Sequence, residues 1–384
     1  MYLREHQAKD ILRSAGLPVP VSTVVYTPEE AAEAAKSLGP CVVKAQVRAG
    51  SRGKAGFIAS AQTPEETSVA ADGMLGKTHQ GETVDRLLVE ALLEIAQELY
   101  LGVVLNTDRA APLVLLSTKG GIDIEQVAEK HPDDLYQVEL DPLASDVSES
   151  WSWQRLWEKA GLAPELLAQA AALTVKLIEL FYRTEAFTLE INPLVVTKQG
   201  GIVAGDCKLI VDDAALFRHP ELQSFVEINE KSPEARAQKV GVTYVALEKN
   251  GSIGVMAGGA GICMTTMDEV TDAGGTPVSF IDLGGGISEE NMAAALEIML
   301  STPGINGLII NVFGGINNCE IMARGVKRVW LRLRDRVTLV IKMRGHSQEE
   351  GWTILQKLGV SVVKHGTTTK AVNLLMEKLR AARR

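Results

Sequence analysis

The chain has 384 residues, 46% of them hydrophobic, which suits two or three domains of ordinary size. Its formal charge is −9, and the only late basic cluster is Arg380, Arg383 and Arg384, which argues against nucleic acid as a partner. No apolar run approaches a membrane span, the N-terminus is polar from Arg4 onward, and Cys41, Cys207, Cys263 and Cys319 lie far apart, so the expectation is a cytoplasmic protein with reduced thiols.

Residues 1 to about 20 read as a short amphipathic helix ending near Gly16, with Pro18 and Pro20 stopping it. A small α/β unit follows over about 21–95. It holds a strand at Val21–Tyr26, a helix at Pro28–Leu38 and a strand at Val42–Gln46. That last strand carries Lys44 among apolar residues, where a charge needs a partner. It runs into the loop Arg48–Gly56, whose glycines allow close backbone approach and whose Arg52 and Lys54 suit phosphate oxygens. An exposed basic hairpin is the plainer reading of that loop. Leu87–Ala91 reads as a further strand, carrying Glu90 near its end.

A long helix is expected over about Pro164–Tyr182, with a leucine and alanine stripe facing the core. Ser148–Trp157 holds three tryptophans and reads as a surface helix or turn anchored by its rings. The stretch Phe187–Val196 reads as a strand, so Glu190 and Asn192 share one face while Leu189 and Ile191 share the other. A second strand over Gly201–Lys208 would place Asp206 and Lys208 on one face, and antiparallel pairing would bring Asp206 close to Asn192. A carboxylate and an amide oxygen suit Mg²⁺, which uses few protein ligands and keeps waters. A hairpin with solvated polar residues is equally consistent with the spacing.

From about Gly241 apolar strands alternate with helices: Ile253–Ala257, Val278–Leu283, Gly307–Val312, Val337–Lys342 and Val360–Val363. That is the pattern of a parallel sheet covered on both faces. Glycine loops follow three of these strands, at Gly258–Gly261, Gly284–Gly286 and Gly314–Gly315, and ligands of such sheets bind at that edge.

The blocks "VVKAQVRAGSRGKAG", "LLVEALLEIAQELYLG", "STKGGIDIEQVAE", "LEINPLVVT" with "GDCKL", "ALFRHPEL", "FIDLGGG" and "NVFGGI", in that order, closely resemble the β subunit of succinate–CoA ligase, an ATP-grasp family, nearly end to end. The resemblance implies an α/β chain: an α+β ATP-grasp domain over 1–238, then a flavodoxin-like parallel α/β domain over 239–384. It implies ATP (or GTP) held near Lys44, Ser51, Arg52, Gly53, Glu90, Leu93 and Glu98, with Mg²⁺ on Asn192 and Asp206. In the family, phosphate passes to a histidine of an α subunit that also binds most of CoA, then to an organic acid. None of the six histidines here sits where the family phosphorylates, so an α partner is expected, as αβ or α₂β₂. Glu190 resembles the carboxylate that orients this histidine. Gly314, Gly315, Ile316 and Asn317 resemble a second station, a helix start facing the phosphohistidine. Gly258 stands where the family has an asparagine that contacts the acid, and Arg344 and His346 add positive charge nearby. Succinate is the first expectation. A malate–CoA or citryl-CoA-forming ligase subunit, or a scaffold without turnover, are the alternatives.

Overall fold

Thr27 and Thr63 each close an extended stretch and cap a helix that opens with proline, accepting from the N–H of Glu30 and Glu66 at 3.2 Å. These two helices, Pro28–Leu38 and Pro64–Met74, cover a four-stranded sheet in the order Ser22–Val25, Leu87–Ala91, Cys41–Ala45, Ile58–Ala61. The computed structural model describes residues 1–48, 52–141, 150–226, 232–247 and 250–382, and the chain divides into two units, Met1–Val226 and Glu227–Arg384.

The first unit holds a second, antiparallel sheet. Its central strands are Ala186–Thr197 and Ile95–Asn106, flanked by Ala111–Ser117 and Tyr136–Glu139 on one side. On the other side Ile202–Ala204 and Lys208–Val211 both pair with Ala186–Thr197. The helices Glu5–Ser14, Ser150–Lys159 and Leu167–Arg183 contribute to one core over this sheet, built from Leu12, Trp157, Leu177, Leu101 and Leu189 among others. Trp153 and Trp157 are the buried anchors expected of the tryptophan-rich stretch, and Trp151 is exposed. The long helix begins later than its pattern suggests, because Pro164–Leu166 forms a separate 3₁₀ turn.

The expected single strand over Gly201–Lys208 is broken in two. Pro193 has no N–H to offer across the gap, and the Gly205 N–H bonds the Pro193 carbonyl at 2.9 Å. The Gly205 carbonyl turns instead to Lys9 and Lys44, at 2.8 and 2.7 Å. No side chain fits here, since a Cβ would lie 2.9 Å from Val195 and 3.0 Å from the Pro193 oxygen.

The second unit is a six-stranded sheet in the order Thr243–Ala246, Pro277–Asp282, Ile253–Ala257, Gly307–Gly314, Thr338–Gly345, Ser361–Val363. Helices Glu289–Leu300, Cys319–Leu333 and Gln348–Lys357 pack on one face, and Ala260–Asp272 and Thr368–Ala382 on the other. The sheet is parallel except at one edge. There Thr243–Ala246 runs antiparallel to Pro277–Asp282, an edge strand too short to stand out in the βα alternation.

Candidate functional site

The strand Ala186–Thr197 buries Leu189 and Ile191 completely, so its alternation turns Glu190 and Asn192 to the opposite face. Leu194 pairs with Ala204 and Glu190 with Lys208, the same register on both sides of the break. Asn192 therefore stands across from Asp206. Both line a cavity of about 490 Å³, with Glu190, Lys208, Arg52, Gly53, Glu125 and Tyr2. The Asn192 amide also fastens a neighbouring loop, accepting from the Gly121 N–H at 2.8 Å and donating to the Ile122 carbonyl at 2.9 Å.

From the wall of this cavity inward runs an ionic hub that local sequence patterns do not show. Lys44 pairs with Glu5 and Glu90, each at 2.9 Å. Lys9 pairs with Glu5 at 2.8 Å and also with Glu90. Arg52 bridges Glu5 and Asp206, each at 2.7 Å. Three cations thus meet three carboxylates, as burial requires, since an uncompensated charge here would be strongly destabilising. Glu5 and Lys9 come from a helix whose pattern suggested only packing. Their one legible signal is i,i+4 spacing on the buried face.

The hub sets its own charge states. Burial pushes the Glu5 carboxyl up, but Lys44, Lys9 and Arg52 prevail and hold it well below the usual range. Burial would strip Lys44 of its proton, yet Glu5 and Glu90 raise it above the ordinary lysine value. Asp206 is raised by burial and by Glu5, against the pull of Arg52. Burial also raises Glu190, with Lys208 opposing and Glu125 and Asp206 adding to it.

The other nucleotide candidates are spread out. Gly53 lines the cavity. Glu90 is 3% exposed, sits in the hub and is not among the residues lining the cavity. The Glu98 carboxylate lies against Gly121, where a Cβ would come within 2.1 Å of it, and the Glu98 carbonyl accepts from the Gly120 N–H at 2.8 Å. Leu93 is half-buried in the link between two strands. Ser51 lies outside the described residues.

As a metal site, the donor set is oxygen only: the Asp206 carboxylate and the Asn192 amide oxygen facing one cavity. Among the described residues no group of three or more His, Cys, Asp or Glu could hold a metal by itself. Such a pair fits a hard cation that keeps waters and shares phosphate oxygens. It fits no nitrogen- or sulfur-seeking metal.

In the second unit the glycine loops are tied to one another. Asp282 accepts from the N–H of Gly259 at 2.8 Å and of Gly284 at 2.9 Å. Asn317, 4% exposed, donates to the Gly284 carbonyl at 2.8 Å and accepts from the Ile287 N–H at 3.0 Å. A Cβ on Gly258 would stand 3.1 Å from the Asn317 amide nitrogen. The helix start expected at Gly314–Ile316 lies further on. Gly314 ends a strand, and the helix begins at Cys319, where the Asn318 side chain caps the N–H groups of Glu320 and Ile321. Ile316 is 83% exposed on the connecting loop.

Two family models match the chain, an ATP-grasp domain over residues 2–196 and a CoA-ligase domain over 256–375. The chain is 39% identical over 390 residues to the β subunit of ADP-forming succinate–CoA ligase from Geobacillus thermodenitrificans, covering 99% of this chain and 100% of that one. It is 38% identical to the β subunit of the GDP-forming enzyme from Thermus thermophilus, over 98% of each. Among solved structures, ATP citrate lyase from Methanothrix soehngenii, in complex with citrate and coenzyme A, shares the fold with a TM-score of 0.72. It covers 98% of this chain and 99% of that chain at 18% identity.

Proposed function

The chain belongs to the succinate–CoA ligase β-subunit family of acid–thiol ligases, and on that premise we propose that it is the nucleotide-using half of such an enzyme, forming succinyl-CoA with an α partner. The observation that carries the reading is the convergence of Glu190, Asn192, Asp206 and Arg52 on one cavity, with Lys44 in the hub behind it.

ATP enters as an anion. Lys44 and Arg52 exchange part of their carboxylate pairing for phosphate oxygens, while Lys9 stays behind to balance Glu5 and Glu90. Mg²⁺ brought with the nucleotide would rest on Asp206 and Asn192 and neutralise phosphate charge there. Glu190 orients the partner's histidine, accepting a hydrogen bond from the N–H of one ring nitrogen so that the other presents its lone pair to the phosphoryl group. The second unit receives the phosphohistidine at the loop Gly314–Asn317, where the acid is activated for CoA. The whole is phosphoryl transfer governed by position and charge.

Gly258 presents no side chain to the acid, and the Asn317 amide, 3.1 Å from where one would start, is itself bonded to the Gly284 carbonyl and the Ile287 N–H, which leaves little room at this position. Succinate is the first reading, as the acid named for the full-length relatives. A bulkier acid, such as malate or citrate, is the second reading, favoured by Arg344, which is exposed and pairs with no carboxylate among the described residues.

The test is CoA-thioester formation by the chain with its α partner, ATP and a panel of dicarboxylic and tricarboxylic acids. Succinate turnover that needs both subunits is the expected result. A complex that turns over no acid would leave the chain a scaffold and overturn the reading.

A further inference from the structure

Lys208 is the cavity's unassigned cation. It sits directly across from Glu190 in the antiparallel pair, where opposed side chains are neighbours. A cross-strand ion pair would be the ordinary outcome, but among the described residues Lys208 makes no ion pair or hydrogen bond at contact distance, and its charge acts on the Glu190 carboxyl from further off. Its ammonium lies instead 6.0 Å from the centre of the half-buried Tyr2 ring, and both residues line the cavity.

The other cations at this cavity have partners in the structure, and in the reading above Arg52 turns to the phosphates of the bound nucleotide. Arg52 holds Glu5 and Asp206, and Lys54 pairs with Asp123 at 3.4 Å. The walls carry the carboxylates of Glu5, Asp123, Glu125, Glu190 and Asp206. A phosphoryl group that leaves the Asn192 and Asp206 side toward Glu190 approaches negative charge, and Lys208 is the cation that the paired strands set directly across from that carboxylate. Phosphoryl transfer depends on neutralising the charge spread over three equatorial oxygens.

We propose that Lys208, held in reach by the Tyr2 ring, is a catalytic residue that binds the phosphoryl group in transit between the nucleotide and the histidine oriented by Glu190. This rests on the functional reading above and adds a residue to it. In the step, the bond between the γ-phosphorus and the β–γ bridging oxygen breaks, and its electron pair leaves with ADP. The imidazole lone pair forms the new P–N bond, and the proton on the other ring nitrogen remains directed at Glu190. Lys208 stays protonated throughout and donates to the equatorial oxygens.

The test uses the complex with its α subunit and separates the two half-reactions. With labelled ATP at saturation, single-turnover phosphorylation of the histidine should fall about 100-fold in Lys208→Met, the size of effect seen when one transition-state donor is removed. Lys208→Arg, which keeps the charge, should recover to within about 10-fold of wild type. ATP affinity, measured separately by calorimetry, should change little in either variant. Phosphoenzyme made from succinyl-CoA and phosphate should react with succinate and CoA at the wild-type rate in both variants, a result a merely structural role would not give. Equal ATP labelling of Lys208→Met and wild type, or an equal fall in both half-reactions, overturns the role of Lys208 and leaves the reading standing. A wild-type complex that ATP does not label overturns the reading, and the role of Lys208 with it.

Discussion

Lys9 offers a sharp test of the ionic hub, because its part there is structural and its removal has a calculable cost. The side chain is 1% exposed and pairs with Glu5 and Glu90. Lys9→Met keeps most of the methylene stem and deletes the charge, so three carboxylates are left facing Lys44 and Arg52. Removing one member of a buried ion pair costs about 3–5 kcal/mol. The low end applies, since Glu90 keeps Lys44 at 2.9 Å and Glu5 keeps Lys44 and Arg52 at 2.9 and 2.7 Å. A loss of about 3 kcal/mol in a unit of this size lowers Tm by about 6–12 °C. Adding Glu90→Gln restores the charge balance and should recover about 2 kcal/mol of that loss, a coupling of the size found between contacting residues.

The pH dependence follows from Glu5. Burial opposes its ionisation, but Lys44, Lys9 and Arg52 hold its folded value well below the ordinary 4.5. Its contribution is therefore complete above about pH 4.5 and lost as the pH falls toward the folded value. Deleting Lys9 raises the folded value, so the acid limb of stability should move to higher pH. Urea titrations of both variants across pH 3–8, an interval of about 5 units spanning the carboxylate range, would measure all of this. A single variant within about 0.5 kcal/mol of wild type, or two substitutions whose effects simply add, would refute the reasoning.

Three further outcomes are expected. Asp206→Ala should abolish Mg²⁺-dependent nucleotide binding, because the charged ligand is lost with no replacement; unchanged Mg-ATP affinity in calorimetry would remove the metal assignment. Glu190→Gln should slow labelling of the partner histidine by ATP far more than it weakens ATP binding, and rapid-quench rates equal to wild type would contradict the orienting role. Gly258→Asn places its Cβ 3.1 Å from the Asn317 amide nitrogen, so that side chain has to yield by a few tenths of an ångström. Activity on acids bulkier than succinate should fall more than activity on succinate, whereas a variant unchanged on every acid would show that this loop does not read the substrate.

Much of the architecture was already legible in local pattern. Pro28–Leu38 and Ile253–Ala257 form where capping residues and apolar periodicity put them, because those signals act over one turn or one strand. The alternation around Glu190 and Asn192 was equally plain, since neighbours along a strand point to opposite faces whatever lies beyond. The short edge strand Thr243–Ala246 and the break at Gly205 were not, for each depends on what a neighbouring strand presents. Nor was the hub. Lys9 meets Glu90 across 81 positions and Arg52 meets Asp206 across 154. Periodicity states which face a charge occupies but not which opposite charge the folded chain brings to it. That choice belongs to packing, where the penalty for an unpaired buried charge selects the arrangement in which all six find partners.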